Sequence, residues 1–195
     1  KTYDPNFEAS FVQGASKILI MNGKDYLSYL DTTTLTITLF SALARPAAPT
    51  VTPTGMTGSA ITYRFRVTAT STIGETDASV AATVATSLAR SQWTQTGSTP
   101  HFVTLSWTAI PNARGYCIYV GTEAGKEVFI GTVPPSSTSF VDDGSAVEIV
   151  SKPAPLGNST QGPIVSRGVN VAGQIFLIGD GYKVWYGGSG DNAFD

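Results

Sequence analysis

Two adjacent carboxylates, Asp142 and Asp143, are the first residues of this 195-residue sequence whose chemistry must be weighed, because glycoside cleavage needs an acid and a base at a defined separation. Neighbours on a strand face opposite ways, and Gly144 follows at once, so the pair reads as turn-forming. Asp180, Asp191, Asn192 and Asp195 carry the oxygens a hard cation such as calcium wants, but not in a twelve-residue EF-hand spacing, and no metal is assigned to them. His101 has no nucleophile-elbow serine nearby and reads as an exposed loop residue. With one cysteine and one histidine, the chain can form neither an internal disulfide nor a Cys/His metal cluster. Cys117 is out of phase with Tyr116, Ile118 and Val120, which places it away from the core side as a plain small residue rather than a reactive thiol. Gly179, Gly181, Gly187, Gly188 and Gly190 crowd the end of the chain without the strand-to-helix step of a phosphate loop, so they read as turn residues. Tyr182, Trp185, Tyr186 and Phe194 could stack on a sugar; packing between sheets is the preferred reading. No catalytic residue, cofactor or metal ligand is therefore assigned.

The elements that would position these residues are strands. Charged residues make up only 13% of a chain with formal charge −2. With Lys and Arg scattered, no positive field exists for phosphate backbones, and nucleic-acid binding is not expected. No run reaches the length of an apolar membrane span, so membrane insertion is not expected either. No signal peptide opens the chain, and its start on Lys1 suggests a trimmed or processed product. Thr, Ser, Gly, Ala and Val dominate, and a chain of this length can bury a core without staples.

Period-2 alternation puts Ile61, Tyr63, Phe65, Val67 and Ala69 on one face of a strand and Thr62, Arg64, Arg66, Thr68 and Thr70 on the other. Ala78, Val80, Ala82 and Val84 keep that rhythm, although Val80, Val84 and Leu88 at i, i+4 spacing leave a helix open. Val103, Leu105, Trp107 and Ala109 alternate, Pro111 to Gly115 breaks the strand, and Tyr116, Ile118 and Val120 resume it. Further strands are expected over Glu127 to Val133 and Ser137 to Val141. Six or so short strands separated by turns argue for a sandwich.

Outside this stretch two segments resemble each other, Ser16 to Tyr29 and Gly173 to Tyr186. Each is an apolar strand, a Gly-containing turn and an aromatic-bearing strand, the pattern of a β-hairpin. An extra strand is expected within Thr34 to Phe40. Such hairpins recur as propeller blades, but two cannot close a ring. The chain is thus a fragment of a longer protein, or its flanks form a small sheet, or other subunits complete the structure. The sandwich reads as an insertion, leaving near Ser41 to Pro46 and returning near Lys152 to Pro155, with prolines keeping both linkers out of a ladder. The expected domains are 1–44 and 154–195 as the two parts of a blade-like β-sheet region, and 45–153 as the sandwich.

Several of these residues carry a family resemblance. Ala48 to Val51, Thr62 to Ala69 followed by Gly74-Glu75-Thr76, Val103 to Trp107, Ala113 to Tyr119 and Ser139 to Gly144 together resemble a fibronectin type III or immunoglobulin-like module of phage tail proteins. The Trp-bearing strand and the Tyr-x-Phe-x-Val-x-Ala strand are exchanged in order, which resembles a permuted variant of that module. The ending Lys183 to Asp195 is similar to a motif of propeller-like phage tail and nozzle proteins. The resemblance implies an all-β fold, with an immunoglobulin/fibronectin III-like β-sandwich inserted between two β-hairpin segments that form a second small β-sheet region. It implies a non-catalytic structural component of a bacteriophage tail, nozzle or tail tip, in the virion and extracellular. The sandwich would decorate the particle or contact a host cell-surface glycan or neighbouring subunits, and homo-oligomers are expected. The alternative is a secreted bacterial carbohydrate-binding or adhesion module. A polysaccharide-degrading enzyme would need acidic residues converging across strands, and is not expected.

Overall fold

In the computed structural model the described residues are 4–14, 17–40, 42–71, 74–158, 160–179 and 184–186, with Trp185 and Tyr186 described by backbone alone. They are all-β. In chain order the strands are β1 (Ser10–Gly14), β2 (Lys17–Met21), β3 (Ser28–Asp31), β4 (Ile37–Leu39), β5 (Thr50–Thr54), β6 (Ile61–Thr70), β7 (Ala82–Thr86), β8 (Phe102–Ser106), β9 (Gly115–Gly121), β10 (Val128–Val133), β11 (Ser139–Asp142), β12 (Ile149–Pro153), β13 (Val165–Val171), β14 (Gln174–Gly179) and β15 (Val184–Tyr186). A 3-10 turn at Arg90–Gln92 is the helical element among the described residues. The chain divides into two compact units, Lys1–Ala42 with Thr72–Gly74 and Thr160–Asp195, and Leu43–Ser71 with Glu75–Ser159.

The second unit is a sandwich of two antiparallel sheets, ordered β12-β10-β9-β6-β7 and β11-β8-β5. The alternation along β6 turns Tyr63, Phe65, Val67 and Ala69 inward, where they meet Tyr116, Ile118 and Val120 of β9 and Val103 and Leu105 of β8. Trp107 lies edge-on to Tyr116 with ring centroids 5.3 Å apart, and Trp93 lies edge-on to Tyr63 at 4.9 Å. The Ile110 N–H donates to the Tyr116 hydroxyl at 2.8 Å, which closes the Pro111-to-Gly115 break back onto the strand it interrupts.

The segment expected to alternate from Ala78 is extended, not helical, but its phase differs from expectation. Ala78 and Ser79 are both buried and Val80 is exposed, and regular pairing starts only at Ala82 opposite Phe65. Side-chain oxygens cause the shift. Ser79 Oγ accepts the Val67 N–H and Thr76 Oγ1 accepts the Ala69 N–H, each at 3.0 Å. These hydroxyls stand in for ladder carbonyls, so the chain runs beside β6 out of register without orphaning its amides. Pro153 also departs from expectation, since it lies within β12, opposite Val128. β12 is the outermost strand of its sheet, the position where a missing N–H is tolerated.

The first unit brings together the two ends of the sequence. They form two antiparallel sheets, ordered β1-β2-β3-β4 and β13-β14-β15, where a single small sheet region was expected. Val12, Leu19, Met21, Leu27 and Phe40 from the first segment share one core with Val165, Ile175 and Leu177 from the second. Main-chain bonds join the segments as well: Gly23 N–H to Val165 O at 2.8 Å, Leu27 N–H to Pro163 O at 3.0 Å and Gly162 N–H to Phe40 O at 3.1 Å.

Both expected hairpins form, as β2–β3 and β14–β15. In the first, Asn22 Oδ1 accepts the N–H groups of Lys24 and Asp25, at 3.1 and 2.8 Å, and thereby shapes the turn. β1 and β13 extend each sheet beyond what the alternation indicates. β13 and β14 meet through a tight turn in which Ala172 and Gly173 both have positive φ, 52° and 84°. That is the handedness a two-residue hairpin requires. Asn170 Oδ1 caps the turn by accepting the Gly173 N–H at 3.0 Å.

Candidate functional site

Of the residues singled out for chemistry, Asp142, Asp143, His101, Cys117 and Gly179 lie within the described residues. Asp142 ends β11 with its carboxylate buried, and Oδ1 accepts the Gly144 N–H at 3.1 Å, as a turn former does. The same carboxylate is gripped by Arg90, a contact the sequence does not reveal. Asp143 faces solvent and bonds Ser145 and Gln95, whose hydrogen bonds hold its carboxyl below the usual range. The two side chains do not converge on a common point, and Asp142 is committed to a structural ion pair.

His101 is not an exposed loop residue. It is half-buried and forms an isolated bridge with Thr94, with main-chain bonds of 2.7 Å in both directions. Two reciprocal backbone bonds fix this position whatever its side chain does.

Cys117 lies on the face of β9 turned away from the core, as its phase indicates, yet it is buried. A second layer of side chains covers that face. The Tyr119 hydroxyl donates to Glu75 Oε1, and the Thr68 hydroxyl donates to the same oxygen at 2.5 Å. Phe129 packs edge-on to Tyr119 at 5.9 Å, and Lys152 Nζ stands 3.9 Å above the Phe129 ring. Burial, followed by the negative charge of Glu75, pushes the Cys117 thiol up to about 11. Burial and the bond to Glu75 push the Tyr119 hydroxyl up as well. At neutral pH both groups are protonated, so this layer offers a hydrogen-bonded lining and no nucleophile. On the same face Arg66 Nε comes within 3.0 Å of the buried Glu127 carboxylate, close enough for charge attraction but not aligned as a hydrogen bond.

A shallow groove of about 440 Å³ lies beside the β9–β10 turn, between Glu123, Lys126, Val128, Glu148, Val150 and Pro153. Lys126 and Glu123 pair across it at 2.7 Å on the exposed surface, and Glu148 is shared with Arg90. Among the described residues no group of three or more His, Cys, Asp or Glu is placed to hold a metal. The candidate calcium ligands Asp180, Asp191, Asn192 and Asp195 lie outside the described residues. So do Gly181, Gly187, Gly188, Gly190, Tyr182 and Phe194, and the side chains of Trp185 and Tyr186.

The feature that sequence reasoning missed is a surface. In the sheet β13-β14-β15, Ile175 and Leu177 point into the core. The register therefore places Val169, Val171, Phe176, Ile178 and Val184 on the opposite face, together with Arg167 opposite Ile178 and Gln174 opposite Val171. Val169 is 51%, Val171 54%, Ile178 49% and Val184 59% exposed. Across the other sheet of this unit Phe11 of β1 is 62% exposed. The signal was present in the unbroken apolar runs Ile18-Leu19-Ile20-Met21 and Ile175-Phe176-Leu177-Ile178, which read as strands with two apolar faces rather than one. Compared with known protein families and with curated proteins, the sequence matches none.

Proposed function

We propose that this chain is a non-catalytic structural component of a bacteriophage tail, in which the sheets built by its two ends stand against neighbouring subunits. The sandwich is carried as an insertion, available to a host surface or to another subunit. The observation that carries this reading is the exposed aliphatic group Val169, Val171, Ile178 and Val184, bordered by Arg167 and Gln174, on a sheet whose other face is already packed. Contiguous apolar surface of this kind marks assembly sites more often than free solvent boundaries. The family resemblance is supported by the strand arrangement. β9 and β6 are neighbours in one sheet while β8, which leads into Trp107, is central in the other, and the chain visits them in the exchanged order.

The test is sedimentation velocity and electron microscopy on the purified chain, beside the variant Ile178→Lys with Val169→Lys. Defined oligomers or rings that dissociate in the variant are the expected result. A chain that stays monomeric at its solubility limit, and binds particular sugars on a glycan array, would instead mark a secreted adhesion module.

A further inference from the structure

β12 differs from every other strand of its sheet. All of its residues, from Ile149 to Pro153, are exposed, whereas six of the seven residues of β9 are buried. None of its side chains belongs to the sandwich core. Its ladder with β10 is broken as well. Val128 pairs with Pro153 and Phe129 with Ile149, so Val150, Ser151 and Lys152 bow away between the two pairings.

Both ends of this segment are nevertheless tied down. Ahead of it, Arg90 donates to Ala146 O at 2.8 Å and to Glu148 Oε1 at 3.2 Å. Behind it, the Ala154 N–H donates to Glu127 O at 2.8 Å, the Ala78 N–H to Pro155 O at 3.0 Å, and the Asn158 N–H to Asp77 Oδ1 at 2.6 Å. Between these ties the bowed residues hold on through Lys152, whose ammonium stands over the Phe129 ring.

We infer that β12 is a hinged strap, which lifts from the edge of β10 while the remainder of the sandwich stays folded. The free energy that resists a local opening comes from buried apolar area and ladder bonds. β12 has little of either, while its terminal ties keep it from leaving altogether. Lifting it bares the β10 edge at Val128 and Phe129 and so joins it to the stretch Ile130-Gly131-Thr132-Val133, which β12 does not pair; the whole edge contains no charge and no proline to blunt it.

Native-state hydrogen exchange on the full chain tests this. Amides of the β10–β12 pairing are expected to exchange at least about tenfold faster than those shared by β6 and β9, with little dependence on low denaturant. The variants Lys152→Ala and Glu148→Gln should speed exchange at the β10 edge severalfold and leave β6 and β9 unchanged. Equal protection and equal denaturant dependence at both places would overturn the strap, as would variants that accelerate every strand alike. If neither variant folds, the denaturant dependence of the unaltered chain decides by itself.

Discussion

Arg90 and Asp142, 52 residues apart, meet inside the sandwich as a two-pronged pair, with Nε 2.8 Å from Oδ2 and Nη2 2.7 Å from Oδ1. Burial works against the charge on Arg90, but the hydrogen bonds and charge of Asp142, joined by Glu148, outweigh it and hold the guanidinium above its ordinary value. The Arg90 N–H donates to the Tyr63 hydroxyl at 2.7 Å, so one residue fastens the connection after β7 to β6 and to the end of β11.

Breaking that pair is expected to be expensive, because the surviving partner stays buried. Asp142→Asn should lower stability by about 3 kcal/mol, the scale for an orphaned internal charge. The double variant Arg90→Met with Asp142→Leu should recover most of the loss. Urea unfolding of the three proteins checks both statements, and a double variant worse than Asp142→Asn would refute the second.

Gly144 completes the same corner. Its φ is +79°, and a Cβ there would fall 2.1 Å from the Arg90 carbonyl oxygen. Gly144→Ala should therefore cost at least about 2 kcal/mol, combining left-handed strain with a clash against backbone. Gly157→Ala, at φ +87° with open space around it, should cost only about 1 kcal/mol. Thermal melts that rank the two variants the other way would contradict this geometry.

The hydroxyls beside β6 are expected to matter as acceptors rather than as volume. Ser79→Ala leaves the Val67 N–H unpaired in the core, and Thr76→Val does the same to the Ala69 N–H. Each should destabilise by about 1–3 kcal/mol, whereas Thr83→Ala on the exposed side of β7 should stay within about 0.5 kcal/mol. Denaturant midpoints of the three variants provide the comparison.

Alkaline stability follows from Cys117. Its thiol is raised from an ordinary 9.0 to about 11 in the fold, so the folded state retains a proton that the unfolded chain releases. The stabilising effect is complete below pH 9.0 and is lost as the pH climbs to about 11. Tyr119, raised in the same direction, adds to the loss at the upper end. Urea midpoints measured across this range should fall less steeply for Cys117→Ala than for the unaltered chain; parallel curves would mean that the thiol is hydrated.

What the sequence determined by itself is what a local period can encode. Alternation at Tyr63, Phe65, Val67 and Ala69 marked β6 and its inward face, and Tyr116, Ile118 and Val120 marked β9. The two look-alike segments marked the β2–β3 and β14–β15 hairpins. These signals survive because each strand turns one regular apolar face into a core, whatever covers its other face, and the side-chain period of two needs no knowledge of the partner. β1 and β13 were not legible, since each buries a single side chain, Val12 and Val165, and owes its pairing to a neighbouring strand. The phase of Val80 was lost because Ser79 and Thr76 accept amides through hydroxyls, which no hydropathy pattern registers. Only the tertiary structure could join Arg90 to Asp142, cover Cys117 with Glu75 and Tyr119, and leave Val169 and Ile178 uncovered. Those relationships depend on distances between segments remote in sequence, and they are set by the closing of a common core rather than by any spacing along the chain.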